Sequence, residues 1–210
     1  MNKVVMISRY HRRKAESSLP GIPSRQVRYV SKEAVEQFFA AVPRAAIRDA
    51  LLFDLMYRYG LRREEATLIE RAHVRDRIWI TRVKGGISRE YPIFRRTRRL
   101  LWSYLPRVGE SSPHLFPSPE HMGTAISTSL VYQLFHRYAT AAELPEDRRF
   151  PHVFRHSIAV HLLNAGWDLV DVKDWLGHVS IASTQVYARV SNIRLDQKVR
   201  ALRSSEIAAL

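Results

Sequence analysis

Cysteine is absent from this sequence, and acidic residues are scarce relative to basic ones. Without cysteine the chain has no disulfide, no thiolate metal site and no cysteine nucleophile, which fits the reducing cytosol. No apolar run approaches the roughly 18 residues of a membrane span. The N-terminal residues also lack the arrangement of charge and apolar stretch that a signal peptide requires. We therefore expect a cytoplasmic protein without a membrane partner.

The charge balance indicates a polyanionic partner. Lys and Arg number 34 against 20 Asp and Glu, so the formal net charge is +14. Such an excess favours nucleic acid first and an anionic membrane surface second. The membrane alternative is weaker, because the charge is spread along the chain and no strongly amphipathic basic helix dominates. With 210 residues, 46% of them hydrophobic, the chain is predicted to form one domain with a substantial core.

Three segments differ in composition. Residues 1–28 are basic and are interrupted by Pro, Gly and Ser, which predicts a flexible arm. Residues 29–190 carry the periodic apolar patterns of a folded domain, and residues 191–210 form a tail of apolar residues between basic ones. The arm is a candidate contact to a DNA backbone, the alternative being a solvated tail. Its candidate contacts are Arg9, Arg12, Arg13 and Lys14.

The periodicity predicts a mainly α fold with a small antiparallel β-sheet. Ser31 is a suitable N-cap for a first helix, and a more apolar second helix over 45–59 is followed by Gly60 as its C′ residue. The β-rich segments 78–83 and 89–93 flank a Gly-Gly turn, which is typical of a hairpin. A basic helix follows, and its candidate DNA contacts are Arg95, Arg96, Arg98 and Arg99. The last third of the chain is predicted to be helical.

Two basic residues stand at chain breaks. Arg62 lies where two apolar helices meet, and a guanidinium fixed there suits bidentate binding of a phosphate. Lys84 lies beside Gly85-Gly86 at the hairpin tip, from which an amine could donate a proton. The alternatives are an ordinary surface arginine and a solubilising turn lysine.

Two further places carry histidine or tyrosine. His152 and Arg155 open a helix and share a face of it, because they are three residues apart. His152 and His156 do not match the zinc-protease pattern, and we interpret His156 and His161 as surface or packing histidines. His178 follows Leu176-Gly177, and Tyr187 comes nine residues later, where a packing tyrosine is the alternative.

These residues are chemically coherent as a set. A phenol has a pKa near 10, so a tyrosine nucleophile needs a base or a cationic surrounding. Two arginines can stabilise the charge that builds on an attacked phosphodiester, and a lysine can protonate the leaving oxygen. A histidine can take the phenol proton, and another can bind the phosphate. This chemistry requires no metal and no cofactor.

At these motifs the sequence resembles the tyrosine recombinase, or phage integrase, family. Gly60-Leu61-Arg62 with Glu65 resembles the family's first arginine motif, in which Arg62 is catalytic and Glu65 is a structural partner. Arg63 beside Arg62 remains an alternative. The other motifs are matched by Lys84 in the hairpin, His152-x-x-Arg155-His156, Leu176-Gly177-His178, and Tyr187. Each motif is weak alone, but five in order are specific.

The resemblance implies a fold and a mechanism. Residues 29–190 are expected to adopt the recombinase catalytic-domain fold. Tyr187 attacks the scissile phosphate and leaves a 3′-phosphotyrosyl link. Arg62, Arg155 and His178 hold the phosphoryl oxygens, with His152 as general base and Lys84 as general acid.

The resemblance also implies partners. The first is double-stranded DNA. The second is further copies of the chain, which would form a tetramer on paired DNA sites. The third is an accessory DNA-bending protein. The tail after Ser191 is a candidate docking segment between protomers. Only about 28 residues precede the domain, so we expect the form without an N-terminal DNA clamp, similar to fimbrial-switch recombinases. Two alternatives stay open: a DNA-binding regulator that does not cut, and a type IB topoisomerase.

Overall fold

Eight α-helices and a two-stranded antiparallel sheet make up the part of the chain that this computed structural model describes, residues 27–108, 112–121 and 123–188. Nearly all of the predicted arm, including Arg9, Arg12, Arg13 and Lys14, and the predicted tail over 191–210 lie outside the described residues. In chain order the elements are α1 (Lys32–Ala41), α2 (Ile47–Arg58), α3 (Arg63–Thr67), β1 (Arg77–Ile80), β2 (Arg89–Pro92), α4 (Arg95–Val108), α5 (Thr128–Ala141), α6 (His152–Asn164), α7 (Leu169–Leu176) and α8 (Ala182–Ala188), with short 3-10 turns at Arg71–His73 and Glu146–Arg148.

Local sequence explains where several helices begin. The Ser31 hydroxyl accepts a hydrogen bond from the Ala34 amide at 3.2 Å, so the predicted cap of α1 is confirmed. Ser127 caps α5 in the same way, and the Asp168 carboxylate caps α7 by accepting from the Asp171 amide at 2.8 Å. Each cap satisfies a backbone donor that the first turn of a helix leaves free.

The predicted hairpin is present as β1 and β2. Ile78 pairs with Tyr91 and Ile80 with Arg89 in antiparallel register. Ile78 and Ile80 are buried, whereas Trp79 between them is exposed, as the alternation of side chains in a strand requires. One face of the sheet therefore packs on the helical core.

Aromatic rings fill the main core. Phe38 of α1 packs against Phe53 of α2, Phe135 of α5 and Phe154 of α6, with ring centroids 4.8 to 5.3 Å apart. A second cluster lies between α6, α7 and α8 and includes Tyr187. None of the helices in the described ranges is long and apolar enough to cross a bilayer.

The packing brings three helix ends together. Gly60, just after α2, has a φ of +59°, and a β-carbon there would lie 2.5 Å from the Leu176 side chain of α7. The backbone conformation therefore favours glycine, and a β-carbon would also force the end of the Leu176 side chain to shift. The carboxyl ends of α2 and α7 meet beside the amino-terminal half of α6, where Arg155 contacts both.

Candidate active site

All six predicted catalytic residues line one cavity of about 490 Å³. They come from separate parts of the chain: the α2–α3 turn, the hairpin loop, α6, the end of α7 and α8. The lining consists of Arg62, Lys84, His152, Arg155, His178 and Tyr187, together with Arg63, Glu64, His156, Ser183 and Val186. Tertiary packing has thus gathered a set that spans more than a hundred positions of sequence.

Arg155 is anchored by backbone carbonyls. Its side chain is 1% exposed, and it donates to the Gly60 carbonyl and, at 2.9 Å, to the Leu176 carbonyl. Both acceptors lie at the carboxyl ends of helices, where the dipole favours a cation. Burial, followed by the nearby charges of Arg62 and Arg82, lowers the pKa of Arg155, but a guanidinium stays protonated at neutral pH. The site therefore contains a fixed positive charge.

Glu65 is the anion that orders the arginines. It is fully buried and accepts hydrogen bonds from the Arg62 guanidinium and, at 2.9 Å, from Arg82. Burial alone raises the pKa of Glu65, but Arg82, the Arg62 backbone amide and Arg155 outweigh it, so the net pKa is lowered. Glu65 is ionised and is a structural partner, as the resemblance implied. Arg63 instead lies against the Tyr132 ring, so the ion pair favours Arg62 as the oriented arginine.

Arg82 is buried, and none of the sequence motifs pointed to it. Its guanidinium donates to Glu65 and, within 3.0 Å, to the Tyr59 carbonyl, the Tyr91 hydroxyl and the Trp175 carbonyl. The side chain thereby ties the hairpin to the ends of α2 and α7. The alternation of buried and exposed positions that includes Ile78 and Ile80 continues to position 82. This alternation is the feature of the sequence from which the burial of Arg82 could have been predicted.

The hairpin loop holds Lys84 at the cavity. Lys84 is exposed and has a φ of +56°, an uncommon conformation for a side chain other than glycine. The loop is attached to the end of α7, because the Ile87 amide donates to the Gly177 carbonyl at 3.0 Å. A β-carbon at Gly86 would lie 2.8 Å from the Arg82 Cβ, so this close approach also requires glycine.

Two of the predicted site residues are histidines in buried surroundings. His178 forms a 2.8 Å hydrogen bond with the Thr184 hydroxyl through Nδ1, and His152 opens α6. Burial, followed by the positive charge of Arg155, lowers the pKa of His178 to about 3. Burial, then His156 and Arg155, lower the pKa of His152 to about 3. Both rings are neutral at pH 7.

Tyr187 lies against a histidine that the sequence analysis did not place in the site. Tyr187 is 3% exposed as a residue. Its hydroxyl lies 3.0 Å from Nδ1 of His156. His156, which the sequence led us to expect at the surface or in packing, thus lines the cavity in contact with Tyr187. Its spacing of four from His152 puts both rings on one face of α6, 4.6 Å apart and nearly perpendicular. His161 is a packing residue, bonded to Tyr57.

The basic helix α4 presents its arginines in different ways. Arg95 and Arg99 are exposed and Arg98 is half-buried, while Arg96 lies 3.2 Å from the Asp54 carboxylate and over the Phe39 ring. Phe94, just before α4, packs against Trp175 of α7. The DNA-binding assignment of these four arginines stays a prediction.

The arrangement suits a tetrahedral phosphate beside a phenol. Guanidinium groups and an amine supply positive charge, and neutral imidazoles supply proton acceptors. Burial raises the pKa of Tyr187, whereas Arg155 and Arg62 act to lower it. Among the described residues, no group of three or more His, Asp or Glu side chains is placed to hold a metal ion.

The neutral histidines predict that acid destabilises the protein. Unfolded histidine gains a proton below about pH 6.5, whereas folded His178 does not until about pH 3. The unfolded state binds more protons in this window, so stability present above pH 6.5 is lost as the pH falls, by at most about 1.4 kcal/mol per pH unit for this residue. Urea unfolding at about pH 7 and about pH 5 measures the loss.

The matched variants are His178→Asn and His121→Asn, the latter at an exposed loop position. We expect His178→Asn to reduce the difference in unfolding free energy between the two pH values and His121→Asn to leave it unchanged. An unaltered difference in His178→Asn would contradict the assigned neutral state.

The sequence matches the phage integrase family over residues 28–194. It is 36% identical over 175 residues to tyrosine recombinase XerC of Erythrobacter litoralis and 29% identical over 184 residues to tyrosine recombinase XerA of Pyrococcus furiosus. The alignments cover 79% and 86% of this chain but 56% and 63% of the relatives. The chain thus spans less than two thirds of the length of these curated relatives.

Solved structures share the fold. A XerA recombinase superposes with a TM-score of 0.71 at 23% identity, over 90% of this chain and 68% of that one. The catalytic domain of bacteriophage HP1 integrase superposes with a TM-score of 0.60 at 22% identity, over 86% of this chain and 98% of that one. The XerH site-specific recombinase bound to difH substrate superposes with a TM-score of 0.68 at 22% identity, over 88% of this chain and 56% of that one. The predicted fold class is confirmed.

Proposed function

The chain belongs to the phage integrase family, and we propose that it is a tyrosine-type site-specific DNA recombinase that cuts and rejoins strands through a 3′-phosphotyrosyl intermediate. The observation that carries the proposal is the cavity in which Tyr187 lies with three arginines, a lysine and three histidines. A protein that only bound DNA would have no use for a buried phenol among these groups. The outcome is integration, excision, inversion or resolution, according to how the DNA sites are arranged.

Each step uses a residue of the cavity. The Tyr187 oxygen attacks the scissile phosphorus, and its proton passes to a neutral imidazole of α6, which the family resemblance assigns to His152. Arg62, Arg155 and His178 hold the non-bridging oxygens, on which negative charge develops. As the bond to the 5′ oxygen breaks, Lys84 protonates that leaving group. The covalent link keeps the bond energy, so a 5′-hydroxyl can reverse the reaction without ATP.

The partners follow from the same proposal. Double-stranded DNA is the substrate, supported by the net charge of +14 and by the exposed arginines of α4. We propose a tetramer on two paired sites, with the tail after Ser191 docking between protomers, and an accessory DNA-bending protein. Bound to its sites, the protein associates with the nucleoid.

The test is covalent trapping on DNA. A pool of nicked duplexes with randomised sequence is incubated with the protein, and adducts that survive detergent are isolated and sequenced. We expect adducts joined to a 3′ phosphate at a defined sequence. DNA binding without any adduct would support the regulator alternative and overturn the proposal. Adducts with no sequence preference, together with relaxation of any supercoiled plasmid, would support the topoisomerase alternative.

Salt should weaken DNA binding steeply, because each phosphate contact releases counterions. With four such contacts, affinity for a duplex falls about 100-fold between about 50 and about 200 mM salt. Replacing Arg95 and Arg99 together by Gln should lower the salt slope by about 2. The control is Arg44→Gln, an exposed arginine just before α2, the helix whose far end meets the cavity. A slope near zero for the unaltered protein would contradict a phosphate-dominated interface.

A further inference from the structure

We propose that His156, rather than His152, accepts the phenolic proton of Tyr187 when the tyrosine attacks DNA. This inference rests on the proposed function and assigns one step of it. The motif comparison implied His152 for this step, whereas the contacts of α6 and α8 favour its neighbour one turn further along the helix.

The contact between the two side chains is direct. Nδ1 of His156 lies 3.0 Å from the Tyr187 hydroxyl. Within the described ranges, this is the hydrogen bond that the Tyr187 side chain makes, and His152 makes none with it. His152 instead faces the His156 ring edge to face, with centroids 4.6 Å apart. The geometry makes His156, rather than His152, the histidine in contact with the phenol.

The protonation states agree with this assignment. Burial, followed by the charge of Arg155, lowers the pKa of His156 to about 4, so the ring is neutral at pH 7. A neutral imidazole has one acceptor nitrogen, and Tyr187 can donate to Nδ1 only when the ring proton is on Nε2. The other titratable and charged groups that line the cavity with His156 and Tyr187 are His152 and Arg155 on α6, together with Arg62, Arg63, Glu64, Lys84 and His178 from other parts of the chain.

The proton transfer balances. The Oη–H bond breaks, its proton moves to Nδ1, and the Oη electron pair forms the bond to phosphorus while the bond from phosphorus to the 5′ oxygen breaks. The new imidazolium lies beside the phosphate, whose negative charge offsets the repulsion from Arg155. In the rejoining step the 5′-hydroxyl gives its proton to the neutral Lys84 amine as its oxygen attacks phosphorus, the bond from phosphorus to Oη breaks, and the proton on Nδ1 returns to Oη. One histidine therefore serves both directions.

His156→Asn separates base chemistry from packing. The Asn amide oxygen can take the place of Nδ1 as a hydrogen-bond acceptor, but it cannot hold the proton. Single-turnover cleavage of a trapped site is measured against pH for the unaltered protein, His156→Asn and His152→Asn. We expect His156→Asn to be slower by about 100-fold or more near neutral pH, with a rate that climbs with pH as the phenol ionises. His152→Asn should keep the shape of the unaltered profile.

Three results would overturn the inference. The first is a cleavage rate that climbs with pH in His152→Asn while His156→Asn keeps the unaltered pH profile. The second is a loss of rate in His156→Asn that is the same at every pH. The third is a cleavage rate in His156→Asn equal to that of the unaltered protein. His121→Asn, at an exposed loop position outside the cavity, is the matched control for the substitution. If the unaltered protein forms no adduct, the proposed function fails, whereas adduct formation with any of these three results removes only the assignment of His156.

Further measurements distinguish a loss of base chemistry from a failure of the Asn variant to fold. His156→Gln is prepared alongside it, and urea unfolding and DNA affinity are measured for both. A fluorinated tyrosine at position 187, whose phenol ionises at lower pH, should restore much of the rate lost by either His156 variant. Rescue of the His152 variant instead would overturn the inference.

Discussion

Tyr187→Phe is expected to abolish the covalent DNA adduct while leaving DNA affinity within about threefold of the unaltered protein. The substitution removes one oxygen, and the ring keeps its packing in the cluster formed by α6, α7 and α8. Loss of the bond to His156 costs about 1 kcal/mol of stability, which is small for a folded domain. The oxygen that attacks phosphorus in the proposed mechanism, by contrast, is removed outright. Detergent-resistant adducts on the trapped site measure the first effect, and DNA titration measures the second.

Tyr57→Phe is a matched control for this substitution. Tyr57 also bonds to a histidine on α6, with its hydroxyl 2.8 Å from Nδ1 of His161, but it does not line the cavity. The control loses a comparable hydrogen bond and should still form adducts at an undiminished level. Adduct formation by Tyr187→Phe would show that another group attacks the phosphate.

Arg82→Met should lower the free energy of unfolding by about 3 kcal/mol. It should also reduce adduct formation by more than the unfolded fraction of the protein accounts for. The guanidinium bonds to a buried carboxylate, two backbone carbonyls and a tyrosine hydroxyl, and methionine satisfies none of them. Removing one partner of a buried ion pair leaves the other without full compensation. The hairpin also loses one of its bonds to α7, the one to the Trp175 carbonyl, which loosens the position of Lys84 relative to the phosphate site. Urea unfolding and the adduct assay measure the two effects.

Arg77→Met is the control on the same hairpin. Arg77 is exposed and lies 3.7 Å from the exposed Glu90 carboxylate. Exposed ion pairs contribute little, so this variant should stay within about 0.5 kcal/mol of the unaltered protein. Equal unfolding free energies for Arg82→Met and Arg77→Met would contradict the structural role of Arg82. Arg82→Lys should fall between them, because an ammonium keeps the charge without the planar donor geometry.

Much of the secondary structure was predictable, because its signals are local. Ser31 caps α1 through its own hydroxyl, and Gly60 takes the left-handed conformation that ends α2. Ile78 and Ile80 alternate with exposed residues as a half-buried strand does. In each case the interaction joins positions a few residues apart, so the sequence contains both partners side by side.

The candidate site was predictable only in part. Arg62 and His178 were identified by motifs, and the structure brings them to one cavity. The contact between His156 and Tyr187 was not identified, because the partners are 31 positions apart. The bond from Arg82 to the Trp175 carbonyl spans 93 positions, and its acceptor is a backbone atom that has no sequence signature.

By itself, the sequence determined that the chain is mainly helical with one hairpin, strongly basic, and equipped with the residues of phosphoryl transfer. The tertiary structure decided which of those residues share a cavity, which arginine Glu65 orients and which histidine contacts the tyrosine. The physical reason is that capping and alternation depend on neighbours along the chain. The site, by contrast, forms where the ends of α2 and α7 pack against α6, and that packing depends on the whole core.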